Sequence, residues 1–266
     1  MWPGYPYLVD LKDLLGSASA LVREQGRLVR LPPGQAAVFV GDTHGDREAS
    51  EEVLKRFLRP EFAIVFLGDY VDRGPDSAGN LALLLEAKLR QPQGLFLLMG
   101  NHEAWSVSPF SPADFWERLG PDAVRTWSRT LALLPFAALH PGGLLAVHGG
   151  LPDVSRTEEI EGLRLGSADW RRMTWGDWED VPGSVLDPGS CGRPTFGRDY
   201  FQEVTRRLDL AVVVRSHQPF APTYLFEDRC LTLFTSTAYG RPERQVAVLR
   251  PDRGLRDARD LELVTL

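Results

Sequence analysis

Five short apolar runs along the chain have the length and composition of buried β-strands. They are AAVFV at 36–40, FAIVFL at 62–67, LFLLM at 95–99, LLAV at 144–147 and AVVV at 211–214. Runs of four to eight apolar residues rich in β-branched and aromatic side chains are typical of strands covered on both faces. Each run is followed at once by a polar cluster, in order GDTHGD, GDYVDRG, GNHE, HGG and RSH. The pattern predicts five strands that end in the same kind of polar segment.

The segments between the first three runs have helical spacing. Their apolar residues recur three or four positions apart: Ala49, Val53, Leu54, Phe57 and Leu58 in the first segment, and Leu81, Leu84, Leu85 and Leu89 in the second. This β-α-β-α-β alternation predicts a parallel sheet of an α/β fold. The polar clusters then gather at the carboxyl ends of neighbouring strands, where open α/β sheets bind ligands.

The second half of the chain is richer in strands. LLAV, AVVV, CLTLF at 230–234 and QVAVL at 245–249 predict a second, more antiparallel sheet packed on the first. The stretch from 115 to 135 is helical in part. The segment from Trp175 to Gly197 has no period and is rich in Gly, Pro and Asp, which favours a functional excursion over a simple linker.

Composition and charge narrow the class of protein. The 266 residues, 43% of them hydrophobic and 25% charged, suit one soluble domain with a sizeable core. A net charge of −6 argues against a broad nucleic-acid surface. No apolar run reaches the roughly 18 residues that a spanning helix needs. Two cysteines, Cys191 and Cys230, are too few for a disulfide framework, so we expect a cytoplasmic protein without membrane or nucleic-acid partners.

The residues that follow the strands have the chemistry of metal ligands. They are Asp42, His44, Asp69, Asp72, Asn101, His102, His148 and His217. Imidazoles with carboxylate and amide oxygens suit a borderline or hard divalent ion such as Mn, Fe, Zn or Co. Six or more such groups are too many for one ion, and a carboxylate can bridge two. We therefore predict a dinuclear site.

A pair of divalent ions suits phosphoryl transfer, because it activates water and clamps the attacking and leaving oxygens. Such a reaction also needs cations for the phosphate oxygens, for which Arg73, Arg193 and Arg215 are candidates, and an acid for the leaving group, for which His102 is the candidate.

Each of these residues also has a purely structural interpretation. An Asp after a strand is most often a turn former or a helix N-cap, and a single His is more often hydrogen-bonded than a ligand. The metal hypothesis is favoured because four of the five histidines share the same placement, directly after apolar runs. We expect the fifth, His140, to be solvent-exposed in a turn.

The motifs GDTHGD, GDYVDRG, GNHE, HGGL and RSHQ, in this order and roughly this spacing, resemble the metallophosphoesterases, and specifically bacterial members of the phosphoprotein phosphatase family of Ser/Thr phosphatases. The match spans about residues 36–250 and includes TWGDWED, RPTFG and LTLFTSTAYG. It leaves residues 1–35 as an N-terminal extension of unknown role within a single catalytic domain. Met99 stands where the family usually has an arginine, so one polar contact is missing or supplied from elsewhere.

The resemblance implies a central β-sandwich of two mixed sheets flanked by helices, with the dinuclear site at the strand ends. Asp42 and His44 would bind the first metal, Asp69 would bridge, and Asn101, His148 and His217 would bind the second. His102, oriented by Asp72, would be the general acid. Arg73 and Arg193 would hold phosphate, and Arg215 and Tyr239 would line the pocket.

The expected function is hydrolysis of phosphoserine and phosphothreonine in proteins, with phosphotyrosine as a further substrate, by direct attack of a metal-bound hydroxide. Two divalent ions, manganese first, are the expected cofactors, and the expected enzyme is a monomer without a regulatory subunit. One alternative is hydrolysis of dinucleoside polyphosphates or other small phosphate esters. Another is a catalytically silent phosphate-binding module.

Overall fold

The computed structural model describes residues 11–187, 192–251 and 254–266. The helices within these ranges are α1 Leu11–Gln25, α2 Arg47–Phe57, α3 Ser77–Arg90, α4 Asp114–Glu117, α5 Pro121–Leu131, α6 Ala168–Trp175 and α7 Arg198–Arg207. The strands are β1 Leu28–Arg30, β2 Ala36–Val40, β3 Phe62–Phe66, β4 Leu95–Leu97, β5 Ala137–His140, β6 Leu144–Val147, β7 Asp177–Trp178, β8 Val185–Leu186, β9 Thr195–Phe196, β10 Val212–Arg215, β11 Tyr224–Leu225, β12 Cys230–Thr232, β13 Gln245–Leu249 and β14 Glu262–Thr265. Cys191 and the first ten residues of the predicted N-terminal extension lie outside the described ranges.

The first sheet has the strand order β14-β13-β2-β3-β4. Its three strands β2, β3 and β4 are parallel, as the β-α-β-α-β pattern predicts. Strand β13 lies antiparallel between β14 and β2. The QVAVL run therefore belongs to the first sheet, and its prediction as a strand of the second sheet was wrong.

The second sheet has the order β1-β5-β6-β10-β12-β11. The pairs β1–β5, β6–β10 and β10–β12 are parallel, whereas β5–β6 and β11–β12 are antiparallel. Both sheets are thus mixed, which confirms the predicted fold class. The expectation of a more antiparallel second sheet was wrong, because β6, β10 and β12 run in the same direction and deliver their carboxyl ends to the same edge.

The two sheets pack face to face, and alternate residues of each central strand point to opposite layers. Phe39 and Val65 belong to the apolar cluster shared with Ala146 and Val214 of the second sheet. Their neighbours in the same strands, such as Val38, join a second cluster that includes residues of the flanking helices. Coverage on both faces is the physical reason why these strands read as continuous apolar runs.

Helix α1 adds a layer to the helical side of the core. Its residues Leu14, Leu15, Ala18 and Val22 are buried in the same cluster as α3 and α5 residues. Strand β1 then extends the second sheet beside β5. Residues 11–30, for which the sequence suggested no role, therefore contribute both to the core and to a sheet. None of the helices in the described ranges combines the length and apolar character needed to cross a membrane.

The region from Trp175 to Gly197 contains a small third sheet with the order β7-β9-β8. Its strands are only two residues long, and this explains why no period was detectable. The partly helical stretch after 114 divides into α4 and α5, and Pro121 begins the second helix after Gly120. His140 ends β5 half-buried, and its Nδ1 lies 3.1 Å from the Gly142 amide nitrogen. The expectation of a solvent-exposed His140 in a turn was wrong.

Candidate metal centre

The six residues predicted as metal ligands lie together where strands of both sheets end. They follow β2, β3, β4, β6 and β10, and none is more than 4% exposed: Asp42, His44, Asp69, Asn101, His148 and His217. A parallel bridge between Asp42 and Phe234 joins the two sheets at this edge. The sandwich thus brings side chains from positions 42 to 217 into one buried cluster.

Asp69 lies in the middle of this cluster. Its Oδ2 is 3.4 Å from His148 Nε2, 3.8 Å from His44 Nε2 and 3.8 Å from His102 Nε2. Two groups of potential metal ligands share Asp69, one with His44 and His102 and the other with His148 and His217. A carboxylate shared between two ligand groups is the arrangement expected of a bridging ligand in a dinuclear site.

The remaining predicted ligands lie beside these two groups. Asp42 Oδ2 lies 3.5 Å from His44 Nε2, and it is buried without a hydrogen-bond partner among the described residues. A buried carboxylate oxygen without a donor is unfavourable unless a cation satisfies it. In the second group, His148 Nε2 lies 3.2 Å from Asn101 Oδ1 and 3.1 Å from His217 Nδ1. The donor set therefore fits a pair of divalent ions.

Backbone carbonyls fix the orientation of two of the imidazoles. His44 Nδ1 lies 3.0 Å from the Val71 carbonyl oxygen, and His148 Nδ1 lies 3.0 Å from the Leu67 carbonyl oxygen. A ring that donates its Nδ1–H to a carbonyl presents the Nε2 lone pair on its other side. In both histidines this Nε2 faces Asp69.

The electrostatics of the cluster favour a cation beside Asp69. Burial opposes charge on His148, yet the Asp69 carboxylate outweighs it and raises the pKa of His148 to about 9. Burial likewise opposes charge on Asp69, but His148 and His102 hold its pKa well below the usual range. Burial and the charge of His148 hold the pKa of His217 well below its usual value. A bound divalent ion would take over the role of the His148 proton.

The Glu103 carboxylate and a close contact between two backbone segments support this arrangement. Glu103 accepts the backbone N–H groups of Asp69 and Tyr70, both at 2.8 Å, and of Gly100 at 2.9 Å. Gly68 has φ +112°, and a Cβ there would lie 2.4 Å from the Gly100 nitrogen. The GNHE segment therefore packs directly against the end of β3, which only a glycine at position 68 permits.

The backbone of the cluster is strained. Six of the predicted site residues have φ between 44° and 72°, the left-handed region that non-glycine residues rarely adopt: His44, Asp69, Asp72, Arg73, His217 and Tyr239. Such conformations cost about 1–3 kcal/mol each and persist where the surrounding structure enforces them. They allow consecutive residues of a tight turn to point toward one centre.

The predicted general acid, His102, is hydrogen-bonded to its predicted partner, Asp72. His102 Nδ1 lies 2.6 Å from Asp72 Oδ2, and the other Asp72 oxygen accepts the Phe115 N–H at 2.7 Å. The free His102 Nε2 faces Asp69. Burial outweighs the neighbouring carboxylates and lowers the pKa of His102. A phosphate dianion in the site would favour the protonated ring.

Arg73 and Tyr239 lie together at the opening of the cluster. Arg73 Nε donates to the Tyr239 hydroxyl at 3.0 Å, and its Nη1 donates to the Pro112 carbonyl at 2.7 Å. Asp114 accepts the Arg73 backbone N–H at 2.8 Å. The Tyr239 ring lies edge-on to His44 at 5.5 Å between centroids. The guanidinium is therefore partly exposed but held in place beside the first ligand group.

Arg193 lies at the other side of the site. Its Nη1 is 3.4 Å from His217 Nε2 and 3.8 Å from Asp177 Oδ1, and its guanidinium lies over the Trp175 ring. Asp177 Oδ1 is buried without a hydrogen-bond partner among the described residues. Arg193 is thus one of the two predicted phosphate arginines that reach solvent beside the ligands.

Arg215 does not join them. Its side chain is fully buried, its Nη1 donates to the Ser216 carbonyl at 2.9 Å, and Cys230 and Asp177 lie close to it. A guanidinium enclosed in this way is not accessible to solvent, unlike those of Arg73 and Arg193. We therefore do not keep Arg215 as a phosphate-binding residue.

Some residues that hold the site were not singled out from the sequence. Asp114 follows a Pro-Ala pair and looks like a turn residue, and Asp46 looks like the N-cap of α2, which it also is. At Met99 the structure shows a different contact, since Sδ accepts the Trp170 indole N–H at 3.3 Å. Periodicity carries no signal for contacts between such distant positions.

Comparisons with known proteins agree with this geometry. The family model for calcineurin-like phosphoesterases matches residues 37–220. Among solved structures, a protein serine/threonine phosphatase from Saccharomyces cerevisiae matches with a TM-score of 0.82, 22% identity, and coverage of 96% of this chain and 88% of that one. A putative diadenosine tetraphosphatase matches with a TM-score of 0.54, 19% identity, and coverage of 90% and 98%.

A cold-active protein-tyrosine phosphatase of a psychrophilic Shewanella matches with a TM-score of 0.53, 18% identity, and coverage of 89% of this chain and 83% of that one. At these identities the structural matches show a common fold and no more. The family model covers well over half of the chain, and the clustered Asp and His side chains could hold metal ions. The chain therefore belongs to the calcineurin-like phosphoesterase family and is a phosphoesterase.

Proposed function

We propose that this phosphoesterase is a phosphomonoesterase that removes phosphate from phosphoserine and phosphothreonine in proteins, with phosphotyrosine as a further substrate. The observation that carries the proposal is the sharing of Asp69 by two ligand groups beside the His102–Asp72 pair. This arrangement holds a hydrolytic centre and a proton donor on the same side of the sandwich. The family uses a dinuclear divalent site, for which Asp42, His44, Asp69, Asn101, His148 and His217 are the proposed ligands.

The chain's own residues have separate tasks in this reaction. When bound, the two ions supply an activated water and neutralise charge on the phosphate. Arg73 and Arg193 bind the phosphate oxygens, because a guanidinium presents a planar fork of donors to them. His102 Nε2 gives its proton to the leaving oxygen while Asp72 holds the ring through Nδ1.

Support for protein substrates comes from two sources. The RSHQ and LTLFTSTAYG segments resemble those of Ser/Thr phosphatases. The yeast Ser/Thr phosphatase also superposes with a TM-score of 0.82, compared with 0.54 for the putative diadenosine tetraphosphatase. The site opening beside Arg73 and Tyr239 is exposed, and a phosphorylated side chain on a protein surface can reach it.

A substrate comparison tests the proposal directly. We expect the Mn-loaded protein to hydrolyse a phosphoserine peptide with a higher kcat/KM than diadenosine tetraphosphate. Asp69→Asn is the matched control, and it should abolish both activities. A higher kcat/KM for diadenosine tetraphosphate would replace the proposal with its first alternative, a hydrolase of dinucleoside polyphosphates or other small esters, which the match to the putative diadenosine tetraphosphatase favours.

The silent phosphate-binding module is the second alternative. A module without catalysis is expected to lose a ligand or the acid, yet all of the predicted ligand positions and His102 are filled. Absence of turnover with every phosphate ester, at two bound metals per chain, would favour the module.

We also propose manganese as the resident metal pair, a cytoplasmic location and a monomer without a regulatory subunit. Mixed imidazole, carboxylate and amide ligands suit Mn, and Fe, Zn and Co remain alternatives. Metal analysis of protein purified from its own host, together with its mass in solution, tests these assignments.

A further inference from the structure

The second aspartate of GDTHGD, Asp46, makes an unusually dense set of contacts next to the site. Its carboxylate is 5% exposed and accepts two charge-assisted hydrogen bonds from Arg244, Nε to Oδ2 at 2.8 Å and Nη2 to Oδ1 at 2.7 Å. It also accepts the Ala49 N–H as the N-cap of α2. A two-bond fork on a buried carboxylate fixes both partners in direction as well as distance.

The same carboxylate holds the loop that carries Tyr239. Asp46 Oδ2 accepts the Thr237 backbone N–H at 3.1 Å and the Thr237 hydroxyl at 3.3 Å. Thr237 directly precedes the short 3₁₀ turn at 238–240, in which Tyr239 has φ 58° and ψ 20°. A non-glycine residue keeps this conformation only where neighbouring contacts enforce it.

Tyr239 in turn contacts Arg73. Its hydroxyl accepts from Arg73 Nε at 3.0 Å, and its ring lies 5.9 Å from the Phe234 ring and 5.5 Å from the His44 ring. A continuous set of contacts therefore runs from Arg244 through Asp46, Thr237 and Tyr239 to Arg73. It joins chain positions 198 residues apart.

We infer that Arg244 and Asp46 are positioning residues for phosphate recognition, which act by locking the Tyr239 loop and, through it, the direction of the Arg73 guanidinium. This inference rests on the proposed function, because it assumes that Arg73 binds phosphate. Neither residue touches the phosphate itself. The Asp46 side chain is committed to α2, Arg244 and Thr237, so the effect on the reaction passes through Tyr239.

The test compares Arg244→Ala with the wild type and Arg244→Lys. We expect Arg244→Ala to lower kcat/KM on a phosphoserine peptide about tenfold, or about 1.4 kcal/mol, and to weaken inhibition by inorganic phosphate to a similar extent. Metal content should stay at the wild-type level. Arg244→Lys should recover part of the loss, because lysine keeps the charge but cannot reach both Asp46 oxygens as a rigid fork.

A double-mutant cycle separates positioning from general destabilisation. If Arg244 acts through Tyr239, adding Arg244→Ala to Tyr239→Phe should change kcat/KM less than about twofold, since coupled residues are not additive. Full tenfold losses in both backgrounds would overturn the inference. Asp46→Asn gives a second variant that retains an N-cap oxygen for Ala49, and it should reproduce the phosphate effect if Arg244→Ala fails to fold.

Two controls complete the experiment. Arg259→Ala breaks a comparable fork, with Asp228 at 3.0 and 3.2 Å, outside the site, and its kcat/KM should remain unchanged. Arg73→Ala tests the proposed function itself. If Arg73→Ala leaves phosphate inhibition intact, the phosphate role of Arg73 is wrong; if Arg73→Ala weakens it and Arg244→Ala does not, the positioning role is wrong.

Discussion

Asp69 is the residue on which both halves of the candidate metal centre depend. Its Oδ2 lies within 3.8 Å of Nε2 of three histidines that belong to different segments of the chain. We expect Asp69→Ala to release both metals, because the bridge neutralises charge on both, whereas Asp42→Ala should chiefly empty the first position. Metal-to-protein ratios after dialysis measure this. Near-full occupancy in Asp69→Ala would show that Asp69 does not bridge.

The role of His102 can be tested by comparing substrates that have different leaving groups. General acid catalysis contributes about 10² to 10⁴-fold, and it matters most when the leaving oxygen is a poor one. We expect His102→Asn to keep both metals and to lose about 10² to 10⁴-fold in kcat on a phosphoserine peptide. The loss on p-nitrophenyl phosphate should be much smaller, because p-nitrophenolate leaves without a proton.

The comparison between the two substrates decides the role of His102. Equal losses on both, with metals retained, would indicate that His102 orients the attacking water instead of protonating the leaving group. Asp72→Asn tests the ring orientation, because both Asp72 oxygens face N–H groups, those of His102 and Phe115, and an amide has only one oxygen to accept them.

At the scale of one element, α3 contains a buried lysine in an apolar layer. Lys88 is 1% exposed and donates to the carbonyl oxygens of Pro92 and Leu95, both at 2.6 Å, with its ammonium over the Phe96 ring. Burial lowers the pKa of Lys88 to about 7 from its usual 10.5. The carbonyls and the ring satisfy the donors but do not replace bulk water around the charge.

This burial predicts a pH dependence of the free energy of unfolding. Between pH 7 and 10.5 the unfolded chain binds a proton at Lys88 that the folded chain does not, so stability rises with pH in this window, by at most about 1.4 kcal/mol per unit. Below pH 7 both the folded and the unfolded chain hold this proton, so the contribution of Lys88 to the free energy of unfolding is constant and unfavourable. Lys88→Met lacks this contribution. The difference in stability between Lys88→Met and the wild type should therefore change between pH 7 and 10.5. Urea unfolding at several pH values measures this difference. A constant difference would contradict the lowered pKa.

At the scale of the whole molecule, the site connects the two sheets. Its proposed ligands follow β2, β3 and β4 of one sheet and β6 and β10 of the other. Ions held by side chains from both sheets should bind the folded chain in preference to the unfolded one, so a concentration 100 times the dissociation constant should stabilise it by about 2.7 kcal/mol for each bound ion. We expect added Mn²⁺ to raise the melting temperature and a chelator to reverse the rise.

The rise in melting temperature on adding Mn²⁺ should be smaller in acid. The raised pKa of His148 means that a proton competes with the metal for this ligand up to about pH 9, so metal binding weakens as the pH falls. Melting temperatures with and without Mn²⁺ at pH 6 and pH 8 measure the difference, and Asp69→Ala should show no rise at either pH. An equal rise at both pH values would show that the ligand histidines do not titrate with the metal.

The sequence alone determined the local pattern and the set of candidate ligands. The AAVFV run is β2 to the residue, because both faces of the strand are covered and its five positions are all apolar. The candidate ligands were recognisable because Asp, Asn or His side chains follow each of the five apolar runs. Glu103, the last residue of GNHE, accepts three backbone N–H groups of the site.

Only the tertiary structure decided which strands pair and which side chains reach the opening. QVAVL has the same local pattern as the strands of the second sheet, yet its register with β2 places it in the first. Arg215 has the same charge as Arg73 and Arg193, yet it is fully buried while they reach solvent. The fork between Arg244 and Asp46 joins residues 198 positions apart. Hydrophobic period and residue type act over one or two turns of the chain, whereas pairing, enclosure and such contacts depend on how the two sheets pack, which no local pattern encodes.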